Sequence, residues 1–277
     1  MSITTINSSC TPAGGTASRS WPQAAKGVSA PEKLALIIPT LREAENIRGI
    51  LDHVRSVLDP VGIPYEILVV DDDSPDGTGD IVSAVALDDP RVRLIVRKGE
   101  KGVAGATLLG WRNTDATILG VMDADLQHPP ELLPALISAI LAGHDLAIGS
   151  RYAAGGSLGD WNPARKLLSA AALWAAIPVQ RKRIRAKDPT SGFFMLRREC
   201  IHQVRLQSSG FKLLLDILVR GRIRSVAEIP FAFGQRHRGA SKATFEVACD
   251  YASLLASLYW ERFGFHRRSH STGQASR

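Results

Sequence analysis

The chain has 277 residues, 45% hydrophobic and 22% charged, with 24 Gly, 15 Pro, only three Cys and a mean hydropathy near zero. This composition excludes a disordered, collagen-like or disulfide-scaffold protein and suits one large domain or two small ones. The net charge of +7 is uneven: residues 1–33 hold three basic residues and one acidic, residues 34–150 nine and eighteen, and residues 151–277 twenty-two and eight.

Residues 1–30, rich in Ser, Thr, Gly, Ala and Pro, read as a flexible tail and carry no apolar signal-peptide core. From Leu34 onward short apolar runs at 34–38, 66–70, 92–96, 117–122 and 146–149 have the length of buried parallel strands. Segments 43–58, 79–86, 103–114 and 130–142 between them have helical spacing. This alternation predicts an open α/β sheet with helices on both faces.

After Ser150 the rhythm changes. A loop with Gly155, Gly156 and Gly159 leads to an apolar helix over 164–178, then to a basic run at Arg181, Lys182, Arg183, Arg185 and Lys187. A strand near 193–196, a helix near 211–220, a strand near 225–230 and a long amphipathic helix from 242 to 263 follow, with a basic tail to 277. The expected organisation is one domain over 31–245, with a nucleotide-binding half (34–150) and an acceptor half (151–245), followed by the C-terminal helix and tail (242–277). The longest apolar run, Leu167–Val179, has 13 residues against the ~20 a spanning helix needs, so any membrane contact is expected to be peripheral. Cys10, Cys200 and Cys249 lack C-x-x-C spacing and suit reduced thiols in a cytoplasmic setting, with no zinc motif.

Ligands of open α/β sheets bind outside the carboxyl ends of the strands. Three of those ends are acidic here: Glu43 and Glu45 after the first strand, Asp71, Asp72, Asp73 and Asp76 after the second, Asp123 and Asp125 after the fourth. Asp, Ser and Gly over 71–78 are also what a strand-to-helix turn requires, so that cluster alone leaves capping and binding both open. Asp123 and Asp125 point the same way on an extended segment, and Gln127 continues the series. Like charges so close need a cation between them, and Asp125 with Gln127 offers hard oxygen ligands for Mg²⁺ or Mn²⁺ bridging phosphates. Arg151 and Arg165 flank the glycine-rich loop and read either as surface arginines or as an anion site. His128 reads as a packed or capping residue rather than a base.

In order and spacing the motifs are P-T-x-x-E-x-E-N at 39–46, D-D-x-S-P-D-G-T at 71–78, R-K-G-E-x-G at 97–102, D-A-D-L-Q-H-P-P-E at 123–131, G-S-R-Y at 149–152, D-P-T-S-G-F-F at 188–194 and R-x-x-G-x-S-K at 236–242. Together they resemble the GT-A-fold, family-2 inverting glycosyltransferases, most closely their dolichol- or polyprenol-phosphate mannose synthases (polyprenol monophosphomannose synthases). The resemblance implies a Rossmann-like open mixed sheet, mostly parallel, with C-terminal amphipathic interfacial helices. It implies that Pro39, Leu41, Glu43, Val70 and Asp72 line the nucleotide base and ribose. Asp123, Ala124 and Asp125 would then face ribose and diphosphate, with Asp125 and Gln127 on Mg²⁺ or Mn²⁺ and Arg236 and Lys242 on the diphosphate. Arg151, Arg165 and Ser169 would hold the acceptor phosphate, with Asp125, Arg151 and Arg165 as the catalytic set and Lys212 near the sugar. Leu41 and Arg42 stand where the family commonly has Tyr-Asn, and Asp73 where it commonly has Gly.

The implied reaction is transfer of mannose from GDP-mannose to a polyprenyl (dolichyl or undecaprenyl) monophosphate with inversion, at the cytoplasmic face of an anionic membrane and with no obligate protein partner. The same reaction with UDP-glucose or another nucleotide sugar is one alternative. A nonenzymatic nucleotide or nucleic-acid binder is another, which the acidic first half and the lack of any nucleic-acid-binding motif oppose.

Overall fold

The computed structural model describes residues 4–6, 32–99, 101–159, 163–206, 212–234 and 245–263. One eight-stranded sheet forms the centre, built from β1 (Thr4–Ile6), β2 (Leu34–Thr40), β3 (Tyr65–Asp71), β4 (Val92–Arg97), β5 (Ile118–Val121), β6 (Leu146–Ser150), β7 (Phe194–Arg197) and β8 (Val226–Pro230). The spatial order is β1-β4-β3-β2-β5-β7-β6-β8. All neighbours are parallel except at β7, which runs antiparallel to both β5 and β6.

The strands bury because both faces are covered. Leu34, Leu36 and Ile38 point into a core shared with α1 (Ile47–Leu58), α2 (Thr78–Asp88) and α4 (Leu133–Leu141). The alternating Ala35 and Ile37 point to the opposite core, with Trp111 of α3 (Val103–Arg112) and Leu214 and Ile217 of α6 (Leu213–Arg220). A third, smaller core joins Ala176 of α5 (Pro163–Ala176), Val179, Leu215 of α6 and Leu258 of α7 (Phe245–Phe263).

The expected strands and helices recur with boundary shifts that have local causes. The first helix starts at Ile47 rather than near Glu43, because the Glu43 N–H donates to Thr78 Oγ1 and the Asn46 amide to the Glu43 carboxylate, fixing a turn. Within residues 1–30 the described segment Thr4–Ile6 pairs in parallel register with Ile95–Arg97 as an edge strand.

The helix expected over 164–178 forms as α5, and its described side chains divide between a buried and an open face. Ala176 is fully buried, whereas Leu167, Trp174 and Ile177 are 73%, 75% and 39% exposed. On α7, Tyr251 and Tyr259 donate their hydroxyls to the carbonyls of Ala172 and Ala175, while Trp260 and Phe263 are 79% and 57% exposed. Among the described residues no helix is long and apolar enough to cross a membrane.

Because β7 is reversed, its first residue lies at the carboxyl ends of β5 and β6. Residues 188–193 therefore enter the same edge of the sheet as the loops that follow β2, β3, β5 and β6.

Candidate active site

The loops after β2 and β3 are cross-linked by polar contacts that run from the buried Thr40–Asp71 pair out to the surface. Pro39 pairs in register with Val70, and Thr40 with Asp71, whose carboxylate accepts from Thr40 Oγ1 (2.7 Å), Ser74 N–H (2.7 Å) and Ser74 Oγ (2.7 Å). Ser74 Oγ in turn accepts from the Arg42 N–H at 2.8 Å, and Asp76 accepts from the Ala44 N–H and caps Thr78. Capping and site-building thus coincide in the 71–78 cluster. Val70 is fully buried in the core, and Leu41 lines a groove with Arg42, Asp73, Pro75 and Lys101.

Asp72 turns inward. Its Oδ1 accepts from Arg97 Nε (2.8 Å) and faces Nη2 (2.7 Å), and its Oδ2 accepts from the Gly102 N–H (2.8 Å) ahead of α3. Burial raises its pKa against the pull of that N–H and of the guanidinium. The pair fixes the start of α3 relative to β3, a role for Arg97 that the sequence reading did not assign.

After β5 the chain runs Asp123-Ala124-Asp125-Leu126-Gln127-His128. Leu126 has φ +61°, unusual for a branched side chain, and it separates Asp125 from Gln127. Ala124, Asp125, Gln127 and His128 are buried, and Asp123 is partly open. The Gln127 N–H donates to Asp125 Oδ1 (3.2 Å), and its Nε2 donates to the Gly234 carbonyl (3.3 Å), which leaves Oε1 as the acceptor end of the amide. The Gly234 N–H returns a bond to the Gln127 carbonyl, tying the segment before Arg236 to this loop. His128 is packed as expected: its ring stacks on Phe193 at 5.1 Å and meets Phe231 and Phe233 edge-on. Nδ1 accepts the Asp123 N–H, and burial pushes the ring's pKa down to about 4.

Arg151 follows β6 and meets Asp188 in a bidentate pair, Nε to Oδ2 and Nη2 to Oδ1, both 2.8 Å, with the Arg151 N–H also on Oδ2 (3.1 Å). Its guanidinium lies 5.4 Å from the Phe233 ring centre and 5.8 Å from that of Tyr152. The Asp188 side chain is fully buried, and its backbone N–H donates to Glu228 on β8. The sequence shows Asp188 only as part of a motif; its partner lies 37 residues away, so spacing carries no signal of the pair. Ser169 on α5 hydrogen-bonds the Tyr152 hydroxyl at 2.8 Å, which brings one face of α5 to the Arg151 loop. Lys212, preceding α6, is pushed down to about 8, chiefly by burial and next by the charge of Arg151, against the opposing pull of Asp188 and Asp123. Its Nζ lies 5.8 Å from the Tyr251 ring centre.

Two glycines make these approaches possible. A Cβ on Gly156 would sit 2.7 Å from the Ser150 carbonyl oxygen, and one on Gly192 would sit 3.0 Å from Asp123 Oδ2. Arg236 and Lys242 lie outside the described residues, as does the Arg165 side chain.

The result is a two-poled site at one edge of the sheet: an acidic loop (Asp123, Asp125, Gln127) beside a cationic group (Arg151, Lys212) with Ser169 on its flank. Among the described residues no three His, Cys, Asp or Glu side chains cluster as a closed metal site. Two carboxylates plus an amide oxygen instead fit a divalent ion that completes its shell with water and substrate phosphates.

The chain is similar to known proteins over most of its length. Residues 35–205 match the model of the glycosyl transferase family 2. The dolichol-phosphate mannosyltransferase of Pyrococcus furiosus is 43% identical over 230 residues, 83% of this chain, and the chain spans about 64% of that relative's length. The polyprenol monophosphomannose synthase of Mycolicibacterium smegmatis is 37% identical over 76% of this chain and 81% of its own. Among solved structures, the glucosyl-3-phosphoglycerate synthase of Mycobacterium tuberculosis in complex with Mn²⁺, UDP-glucose and phosphoglyceric acid shares the fold, with a TM-score of 0.61 at 17% identity over 88% of this chain and 86% of that one. By sequence and by fold the chain belongs to glycosyl transferase family 2.

Proposed function

We propose that the protein transfers mannose from GDP-mannose to a polyprenyl monophosphate with inversion at the anomeric carbon, using Mg²⁺ or Mn²⁺. The observation that carries this is the juxtaposition of an acidic, metal-suited loop with a buried cationic group at one sheet edge. A donor diphosphate needs the first and an anionic acceptor the second. The relatives named for dolichol-phosphate and polyprenol-phosphate mannose transfer support both choices.

A lipid monophosphate is ionised at neutral pH, so its oxygen attacks without a strong general base. The neutral, buried His128 is consistent with that economy. Catalysis then consists of positioning and charge balance. Arg151, its charge balanced by Asp188, with Lys212, Ser169 and Arg165, aligns the acceptor phosphate without quenching its nucleophilicity. Asp125 and Gln127 would hold the divalent ion, which when bound offsets the charge of the departing nucleoside diphosphate. Asp123 is assigned to the ribose and diphosphate, and so are Arg236 and Lys242, which lie outside the described residues. Pro39, Leu41, Glu43, Val70 and Asp72 build the floor and wall of the base and ribose region.

The acceptor's lipid also accounts for the exposed apolar faces of α5 and α7. Leu167, Trp174, Ile177, Trp260 and Phe263 face outward, and Arg181, Lys182, Arg183, Arg185 and Lys187 are all exposed beside them in sequence. That composition suits the interface of an anionic membrane at its cytoplasmic face. The test is transfer of labelled mannose from GDP-mannose to polyprenyl phosphate, with metal and with EDTA. Metal-dependent, butanol-extractable label is expected, and absence of label with every nucleotide sugar refutes the assignment.

A further inference from the structure

The last helix, α7, is fastened to both of the helices that border the cationic group. Its bond to α6 is ionic: Arg220 donates from Nε and Nη2 to the two carboxylate oxygens of Glu261, at 3.0 and 2.7 Å, and pairs with Asp216, whose side chain is fully buried. Leu258, buried with Leu215, Ala176 and Val179, fills the space between the helices. Its bond to α5 is made by two hydroxyls, Tyr251 donating to the Ala172 carbonyl at 2.5 Å and Tyr259 to the Ala175 carbonyl at 3.0 Å. Ala175 lies in the last turn of α5, where carbonyls lack partners within the helix, so Tyr259 also satisfies an acceptor there.

Tyr251 acts on the site in two ways. Its hydroxyl holds Ala172, which lies one helical turn from Ser169 on the same side of α5, and Ser169 meets the Tyr152 hydroxyl beside Arg151. Its ring faces Lys212 Nζ at 5.8 Å from the ring centre, within reach of a cation–π contact. Burial and the like charge of Arg151 work against the Lys212 ammonium, with Asp188 and Asp123 pulling the other way. A π face favours the ammonium without neutralising it, which leaves its charge available to an anion.

We propose that Tyr251 is a positioning residue for the acceptor phosphate: it sets Ser169, through α5, and the Lys212 ammonium in one frame, so that both reach the same anion. The inference rests on the transferase reading above and gives α7 a part in the site besides its outward apolar face.

The test is steady-state mannose transfer by the full chain with Mg²⁺, for the parent, Tyr251→Phe and Tyr251→Leu. A short-chain polyprenyl phosphate in detergent is varied at saturating GDP-mannose, then GDP-mannose at saturating acceptor; detergent removes membrane binding from the comparison. Phe keeps the ring and drops the hydroxyl, whereas Leu drops both. Tyr251→Phe is expected to raise the acceptor KM about fivefold, the worth of one neutral hydrogen bond. Tyr251→Leu is expected to raise it about tenfold or more, the lost ring adding to the lost hydroxyl, with the GDP-mannose KM unchanged in both. In a Lys212→Met background the difference between Phe and Leu should vanish, because the ring then has no cation to hold. An unchanged acceptor KM, an equal rise in the donor KM, or a Phe–Leu difference that survives Lys212→Met overturns the role. If Tyr251→Leu fails to fold by circular dichroism, Tyr251→Phe decides alone: a rise confined to the acceptor KM upholds the proposal and a parental value overturns it. A parent that transfers no mannose overturns the transferase reading itself, and the proposal with it.

Discussion

Removing the Asp188 carboxylate, as in Asp188→Ala, is the perturbation that tests most directly what the Arg151–Asp188 pair holds in place. Asp188 is fully buried and Arg151 nearly so, and three bonds of 2.8, 2.8 and 3.1 Å join them, with Thr190 Oγ1 donating to Asp188 as well. Deleting the acid leaves a guanidinium in a low-dielectric pocket with its principal counter-charge gone. Breaking such a pair costs about 3–5 kcal/mol, a large share of the ~5–15 kcal/mol that holds a domain folded. Urea unfolding followed by circular dichroism measures the loss. Adding Arg151→Met to Asp188→Ala removes the stranded charge, so the double variant should be more stable than Asp188→Ala alone. A loss below about 1 kcal/mol for Asp188→Ala, or strict additivity of the two substitutions, would refute the argument that this pair organises the Arg151 loop.

Asp125→Ala should lower metal-dependent mannose transfer by about 10²-fold or more, with unfolding free energy changed far less; a near-normal rate removes Asp125 from the metal site. His128 has its folded pKa lowered to about 4 against 6.5 in the unfolded chain, so the unfolded state binds the extra proton between those values. Stability should therefore fall as pH drops from about 6.5 to 4, by at most ~3 kcal/mol from this group. In His128→Asn, whose side-chain oxygen can replace Nδ1 as acceptor for the Asp123 N–H, the slope should flatten, and an unchanged slope in urea titrations across that range assigns it elsewhere. Replacing both Trp174 and Trp260 with Ala should weaken co-sedimentation with anionic vesicles about tenfold or more while barely changing the folded core, since both rings are at least 75% exposed. Undiminished vesicle binding by that double variant moves the membrane face away from α5 and α7.

Much of the fold is legible from the chain because its strands are buried on both sides and read as apolar runs of four to seven residues, separated by segments of helical period. The acidic loop after β5 is legible as a cluster of residue types, but the extended backbone expected of it is not what forms: the left-handed Leu126 turns the chain between Asp125 and Gln127. What is hidden depends on contacts distant in sequence. Nothing in a one-dimensional pattern announces that Asp188 faces Arg151, that Arg97 occupies Asp72, or that Gln127 and Gly234 exchange hydrogen bonds, one from the Gln127 side chain and one from the Gly234 N–H. The left-handed turns at Arg42 and Leu126 are hidden too, since neither residue type favours that conformation and only the surrounding hydrogen bonds impose it. Thr4–Ile6 escapes notice because three residues of a polar tail carry no period, and their place at the sheet edge is set by β4.

The single reversed strand, β7, has a consequence for how this chain can change over time and under engineering. In a fully parallel sheet, residues before a strand come from the far edge, so loops on the reactive edge vary independently of one another. Here residues 188–193 arrive at the reactive edge ahead of β7 and are wedged against Gly149, Asp123 and Arg151 at once. An insertion there would displace three partners together, whereas turns at the opposite edge, such as Ala142–Asp145 before β6, touch none of them. Variation in acceptor preference should therefore accumulate on α5 and the 152–159 loop, with 188–193 acting as a keystone whose length stays fixed while its neighbours diversify.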